Sequence, residues 1–409
     1  MRRRDVLTAL GGAAAFAGAA GYLGVTRGSS AAPVTAAPDA NTLGGNQTPT
    51  VAYTPDGTAG RTAAVPRSDV RLRAGQFQGN QRRNLAYLLF LDPDRMLRSW
   101  RINYGLPTSA APIGGWESPD SKIRGHVTGH LMSALAWAYA ETDNSDPGKQ
   151  ALKAKGDYIV AQLASLQARA PRVGYHSGYL SAFPEQFFTW LEAGQWGRIW
   201  SPYYMIHKYL AGLIDQYLLV GNAQALDVAT RLADWVDRRT RSFSYSQMQK
   251  MLNVEFGGLP EALANLYAIT GEAATLLTAE RFYHARFLDP LTANIDRLDG
   301  AQCNVSTPKV IAALRLAEET GSDRYWNAAV NFWHIAAAHH TYAVGGQGNH
   351  EHWGPPDTVA STLSNYNCEG CVSYNMLKLT RLLHFHQPSD PAYIDYYERT
   401  LVNHLLWSN

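Results

Sequence analysis

"SPYYMIHKYLAGLIDQYLLVG", residues 201–221, decides the fold class. Apolar side chains recur along it at intervals of three and four, the period of a helix that buries a face. The same period runs through 80–91, 125–142, 150–169, 223–240, 258–272 and 307–322. It continues through 323–342, 371–387 and 391–407, while strand-like alternation is confined to "DVRLRAG" at 69–75. Helices in series, joined by turns carrying Gly, Asn, Asp and Pro, predict an all-α domain. Loops at 111–126, 253–261 and 298–309, with another beginning at Gly345, hold aromatics, glycines and polar groups between the helices. Loops of this kind gather function when a rigid scaffold collects them at one end. That favours a toroid of paired helices over an irregular bundle or a helical repeat array.

The 409 residues carry a formal net charge of +2 with acids and bases interspersed, so no basic stripe tracks a phosphate backbone and nucleic acid is not an expected partner. Aromatics abound, with 11 Trp, 22 Tyr and 12 Phe, and their apolar faces and polar edges suit either sugar stacking or a helical core. Residues 1–32 open with Arg2, Arg3 and Arg4, pass through an Ala/Gly/Leu run and end on small residues. They read as a twin-arginine export signal, placing the protein in the periplasm or outside the cell with no stable membrane span. Residues 33–67, rich in Pro, Thr, Ala and Gly, read as a disordered tether ahead of the helical domain, 68–409. Only Cys303, Cys368 and Cys371 follow, too few for a disulfide framework.

Several groups could carry chemistry. His126 and His130 lie four apart on one helix face, where they could bind metal, line a polar pocket or serve as buried structural histidines. His207, in an apolar helix, reads as a core histidine. Glu351 follows the flexible "VGGQGNH" and precedes Trp353, a setting suited to a raised carboxyl pKa and general-acid work, or to an ordinary surface loop. "CEGC", 368–371, admits a redox pair, a local disulfide or half of a zinc shell built from Glu369 and Cys371. A redox pair would need a preceding strand, which this helical chain does not offer.

The blocks "GGWESPDSKIRGHVTGHLMSALAWAYA", "IWSPYYMIHKYLAGLIDQY", "EFGGLPEALANLYAITGE", "HHTYAVGGQGNHEHWGPPDTVASTLS" and "CEGCVSYNMLKLTRLLH" resemble, in order, the β-L-arabinofuranosidases of glycoside hydrolase family 127 and the related family 146. The resemblance runs from about residue 68 to the end. It implies an (α/α)6 barrel followed by β-sandwich domains, and a retaining hydrolysis in which a zinc-held cysteine thiolate attacks the sugar. It places Glu351 as acid/base, Glu369 and Cys371 as Zn2+ ligands, and His207 as a histidine holding arabinofuranose. Trp116, His130, Gln302 and Asn304 fall in blocks facing the same mouth. Gln302 stands where relatives carry a histidine, and Cys368 is an additional thiol.

The same resemblance puts the nucleophile and a further zinc sulfur in a Cys-Cys pair beyond Trp407, so the barrel is expected to be incomplete at its C-terminal end and the 409 residues inactive alone. The expected function is an exported, zinc-dependent glycosidase releasing terminal β-L-arabinofuranose from glycans. The competing readings are a polysaccharide lyase on the same scaffold and a carbohydrate-binding remnant without catalysis.

Overall fold

A computed structural model describes residues 61–406. The expected export signal and most of the tether lie outside the described residues. Helices follow one another as α1 (Gln76–Phe90), α2 (Pro93–Met96), α3 (Arg98–Asn103), α4 (His126–Glu141) and α5 (Gly148–Arg169). Next come α6 (Gln186–Glu192), α7 (Pro202–Val220), α8 (Ala223–Thr240), α9 (Tyr245–Met251) and α10 (Leu259–Thr270). The series closes with α11 (Ala273–Arg281), α12 (Ala285–Thr292), α13 (Cys303–Thr320), α14 (Asp323–His339), α15 (Gly370–His386) and α16 (Pro391–Thr400). A π-helical turn, Leu401–Leu405, interrupts the helix expected through residue 407. No strand forms among the described residues, and 69–75 has no neighbouring strand with which to pair.

Two layers follow from how each helix distributes its apolar residues. On α7, α10 and α13 buried positions run nearly all round the helix. These helices pack side by side, α4 on α7, α7 on α10, α10 on α13 and α13 on α15. Outside them lie helices with a single buried stripe, such as α8 with Val228, Leu232, Trp235 and Val236, and α14 with Phe332, Trp333 and Ile335. The sequence marks the ends locally: Pro202 opens α7, and Gly221 closes it in a left-handed conformation at φ 77°. Asn222 caps α8 by accepting from the Ala225 N–H.

The crossing of α4 with α7 is set by glycine. A Cβ on Gly129 would sit 2.4 Å from the Lys208 carbonyl oxygen, and one on Gly212 would sit 2.5 Å from the Gly129 carbonyl oxygen. The Arg61 and Thr62 N–H groups donate to the Phe385 carbonyl at the end of α15. Arg67 pairs with Glu141 at 2.9 Å and lies 3.9 Å over the Trp137 ring at the end of α4. The last residues of the expected tether are therefore part of the fold, strapping α15 to α4.

Candidate active site

The N-terminal ends of α4, α7, α10, α13 and α15, with the loops that enter them, carry nearly all of the sequence-predicted site residues. The first wall starts at Glu117, buried, whose carboxylate accepts from the Gly125 and Val127 N–H groups at 2.7 and 2.6 Å. These are orphan donors at the start of α4, so Glu117 anchors the loop before it and presents Trp116. Trp116 meets His126 edge-on at 5.1 Å and Trp200 at 6.4 Å, and both tryptophans remain about half exposed. His126 stands 4.7 Å from His130 and shares a 3.2 Å hydrogen bond with the Tyr204 hydroxyl. Burial, then the nearby Lys208 ammonium, holds His126 down to about 3 and pushes His130 well below its ordinary value. Both rings are neutral.

His207, one turn beyond Tyr204, is also buried, and burial with the ammonium of Lys208 keeps it neutral. Its Nδ1 accepts the Gly258 N–H at 3.2 Å, which assigns the proton to Nε2. The core-histidine reading fits this burial, and the backbone bond fixes the ring with its Nε2 donor edge turned the other way.

Glu351 lies on the second wall, in a left-handed conformation at φ 68°, following His350 at φ 49°. A non-glycine residue held there stores about 1–2 kcal/mol, so its surroundings must hold it. They do so by stitching. The Cys303 N–H donates to the Glu351 carbonyl at 2.8 Å, Trp353 exchanges backbone bonds with Gly300 and Ala301, and the Cys368 N–H donates to the Gly348 carbonyl. The Gln302 side-chain amide donates to the Glu351 carboxylate at 2.9 Å. Trp353, the neighbour expected to desolvate that carboxyl, instead buries its ring against Phe332 and His340.

Glu369 and Cys371 come together at the start of α15. The Cys371 thiol is bonded to the Glu369 carboxylate, and burial together with that carboxylate pushes the thiol up to about 12. Burial raises Glu369 as well, with the Glu351 charge adding to the shift. The Glu369 Oε2 atom is buried without a partner. Two adjacent donors, one with an oxygen still unsatisfied, fit half of a four-coordinate zinc shell. Among the described residues no group of three or more metal-ligating side chains is gathered. All three cysteines are free. Cys368 packs on Gly346, while Cys303 lies against Gly348, its thiol raised by burial and by the charge of Glu369. Asn304 accepts from the Asn375 amide at 2.8 Å, which ties α13 to α15.

Residues that sequence reasoning passed over join the two walls. Tyr204 is raised first by burial and then by the charges of Glu255, Cys371 and Glu369. Burial pushes Glu255 up to about 7 despite the opposing Lys309 and Lys208 charges. Lys208 comes down to about 8 by burial and lies 4.4 Å over the Tyr204 ring. Tyr204 and Lys208 lie four apart on one face of α7, either side of His207 in sequence, a signal that was present but reads equally as core.

The family model described as Beta-L-arabinofuranosidase, GH127 catalytic domain, matches residues 69–408. Among solved structures, the chain is similar to a GH127 β-arabinofuranosidase at 17% identity and a TM-score of 0.62, over 87% of this chain and 54% of that one. It is also similar to a GH127 β-L-arabinofuranosidase from Geobacillus stearothermophilus T6, at 17% identity and a TM-score of 0.58, over 82% of this chain and 55% of that one. At such identity the likeness to these structures establishes the fold alone. The chain spans about half the length of either. No curated protein matches it.

Proposed function

Because the chain belongs to the β-L-arabinofuranosidase GH127 catalytic-domain family of glycoside hydrolases, we propose that it serves the release of terminal β-L-arabinofuranose from an extracytoplasmic glycan, with retention of configuration. The observation that carries the reading is the convergence of Glu351, Glu369 and Cys371 opposite a wall of neutral histidines. Glu351 acts as general acid on the glycosidic oxygen and then as base toward water. Gln302 holds its carboxylate in place. His207 donates from Nε2 to a sugar hydroxyl, while His130, Trp116 and Asn304 complete the surround. Glu369 and Cys371 would hold zinc, which when bound keeps its sulfur ligands deprotonated. The attacking group in this scheme is a thiolate, and none of Cys303, Cys368 and Cys371 is assigned to that role. Residues 1–32 would direct export by the twin-arginine route.

The test pairs activity with metal content. L-Arabinose release from a chromogenic β-L-arabinofuranoside is followed for the chain alone and for the chain continued through its native reading frame. Glu351→Gln is expected to lower the rate at least about 100-fold while leaving the fold intact; an unchanged rate removes the acid assignment. Glu369→Gln and Cys371→Ser are expected to lose bound zinc measured by atomic emission, and full zinc retention in both would overturn the ligand assignment.

A further inference from the structure

The loop that carries Glu351 ends in an aromatic stack that neither the acid nor the metal reading uses. Tyr366 lies face to face with His350, centroids 4.4 Å apart and planes 23° from parallel. The stack is anchored through the backbone: the His350 N–H donates to the Tyr366 carbonyl at 3.0 Å, and the Tyr366 N–H donates to the Ser364 hydroxyl at 3.1 Å. That hydroxyl in turn donates to the Asn349 side chain at 3.0 Å. Tyr366 nonetheless remains 66% exposed. One face of the phenol ring is covered by His350 and the other is open, held in place before any ligand arrives.

His350 immediately precedes Glu351, and general-acid catalysis fixes what must pass beside that carboxyl. The proton donor has to lie within hydrogen-bond reach of the leaving oxygen, so the sugar bearing that oxygen departs along the loop that holds the acid. A pre-ordered aromatic face costs little conformational entropy on binding and suits the apolar face of a sugar ring. We propose that Tyr366, backed by His350, is the platform for the leaving-group sugar, the residue linked to the arabinofuranose being cleaved. This selects glycan chains over simple glycosides. The Trp116 and Trp200 pair belongs to the other wall, beside the histidines assigned to the arabinose. The inference rests on the arabinofuranosidase reading for the position of the leaving oxygen.

The experiment is calorimetric titration of the wild-type chain, Tyr366→Ala and Tyr366→Trp with a β-linked arabinofuranosyl oligosaccharide and with free L-arabinose. Xylo- and gluco-oligosaccharides are titrated in parallel. Tyr366→Ala is expected to weaken oligosaccharide binding about 3- to 10-fold, to leave L-arabinose binding unchanged, and to be rescued by Tyr366→Trp. Equal weakening of both ligands, or of neither, overturns the platform. A wild-type chain that prefers another oligosaccharide series, with the same dependence on Tyr366, removes the arabinofuranose reading and keeps the platform. Binding of none of these glycans overturns both.

Discussion

The two walls of the mouth are built by opposite means. On the histidine wall, Tyr204, His207 and Lys208 ride on regular helix, their positions set by a crossing so close that the α4 and α7 backbones touch at Gly129 and Gly212. On the acid wall, His350, Glu351 and Cys368 adopt left-handed backbone on loops held by isolated bridges at Gln302, His352, Asn349 and Asn367. The first wall is organised by burial, and its histidines are held neutral. The second is organised by hydrogen bonds at the surface, and it keeps exposed carboxylate chemistry. Recognition of a neutral sugar needs fixed neutral donors, whereas proton transfer needs a carboxyl that solvent and substrate can both reach.

The sharpest way to break this contrast is to add one methyl group to each wall. Gly212→Ala forces a Cβ to within 2.5 Å of backbone oxygen and is expected to destabilise the fold by about 3 kcal/mol. Gly354→Ala, on the acid side, meets only the Thr358 hydroxyl at 3.6 Å and should leave the melting temperature within about a degree. Equal losses in thermal denaturation would show that the walls do not differ in packing.

A pH titration sharpens the electrostatic half. His126 and His284 are each held at about 3 by burial and then by a neighbouring lysine, whereas the unfolded chain protonates them near 6.5. Between those values the unfolded state binds more protons. The stability these rings provide is therefore complete above about pH 6.5 and is lost as pH falls toward 3. Glu255, raised to about 7, opposes this by gaining its proton in the folded state over the same range, so the measurement is made in Glu255→Gln. Urea midpoints from pH 7 to 5 should fall, and adding His126→Asn should shallow the slope, whereas an unchanged slope would refute neutral burial of His126. The smallest expected effect is that of Gln302→Ala. Losing one amide bond to Glu351 should cut hydrolysis about 3- to 10-fold with no change in melting, and a fall in melting instead would make Gln302 a structural residue.

The inner helices were legible because apolar residues surround them: 201–221 was expected and α7 spans Pro202–Val220. Short connectors such as α6 and α9 were not, because seven residues carry too little periodicity to distinguish helix from loop. Candidate site residues stood out in the sequence where residue type is unusual for its place, as with Glu369 and Cys371 at a helix start or Glu351 after glycines. Tyr204 and Glu255 were missed for opposite reasons. A tyrosine in an apolar helix reads as filler, and a glutamate in a loop reads as surface, until the packing of α7 against α10 encloses both. The left-handed backbone at Glu351 could not be read at all, since it depends on bonds to residues about fifty positions earlier.

The contact of Gly129 with Gly212 has a consequence for how the pocket can vary. Where helices meet through side chains, their separation drifts with every change of side-chain volume. Here the spacer is main chain, resized only by replacing one of the two glycines themselves. The distance between the α4 histidines and the α7 histidine thus behaves as a fixed gauge while the surrounding core is free to change composition. A chain of this design would keep the separation of these histidines through sequence divergence, and would vary chiefly by rebuilding the loops on the far side.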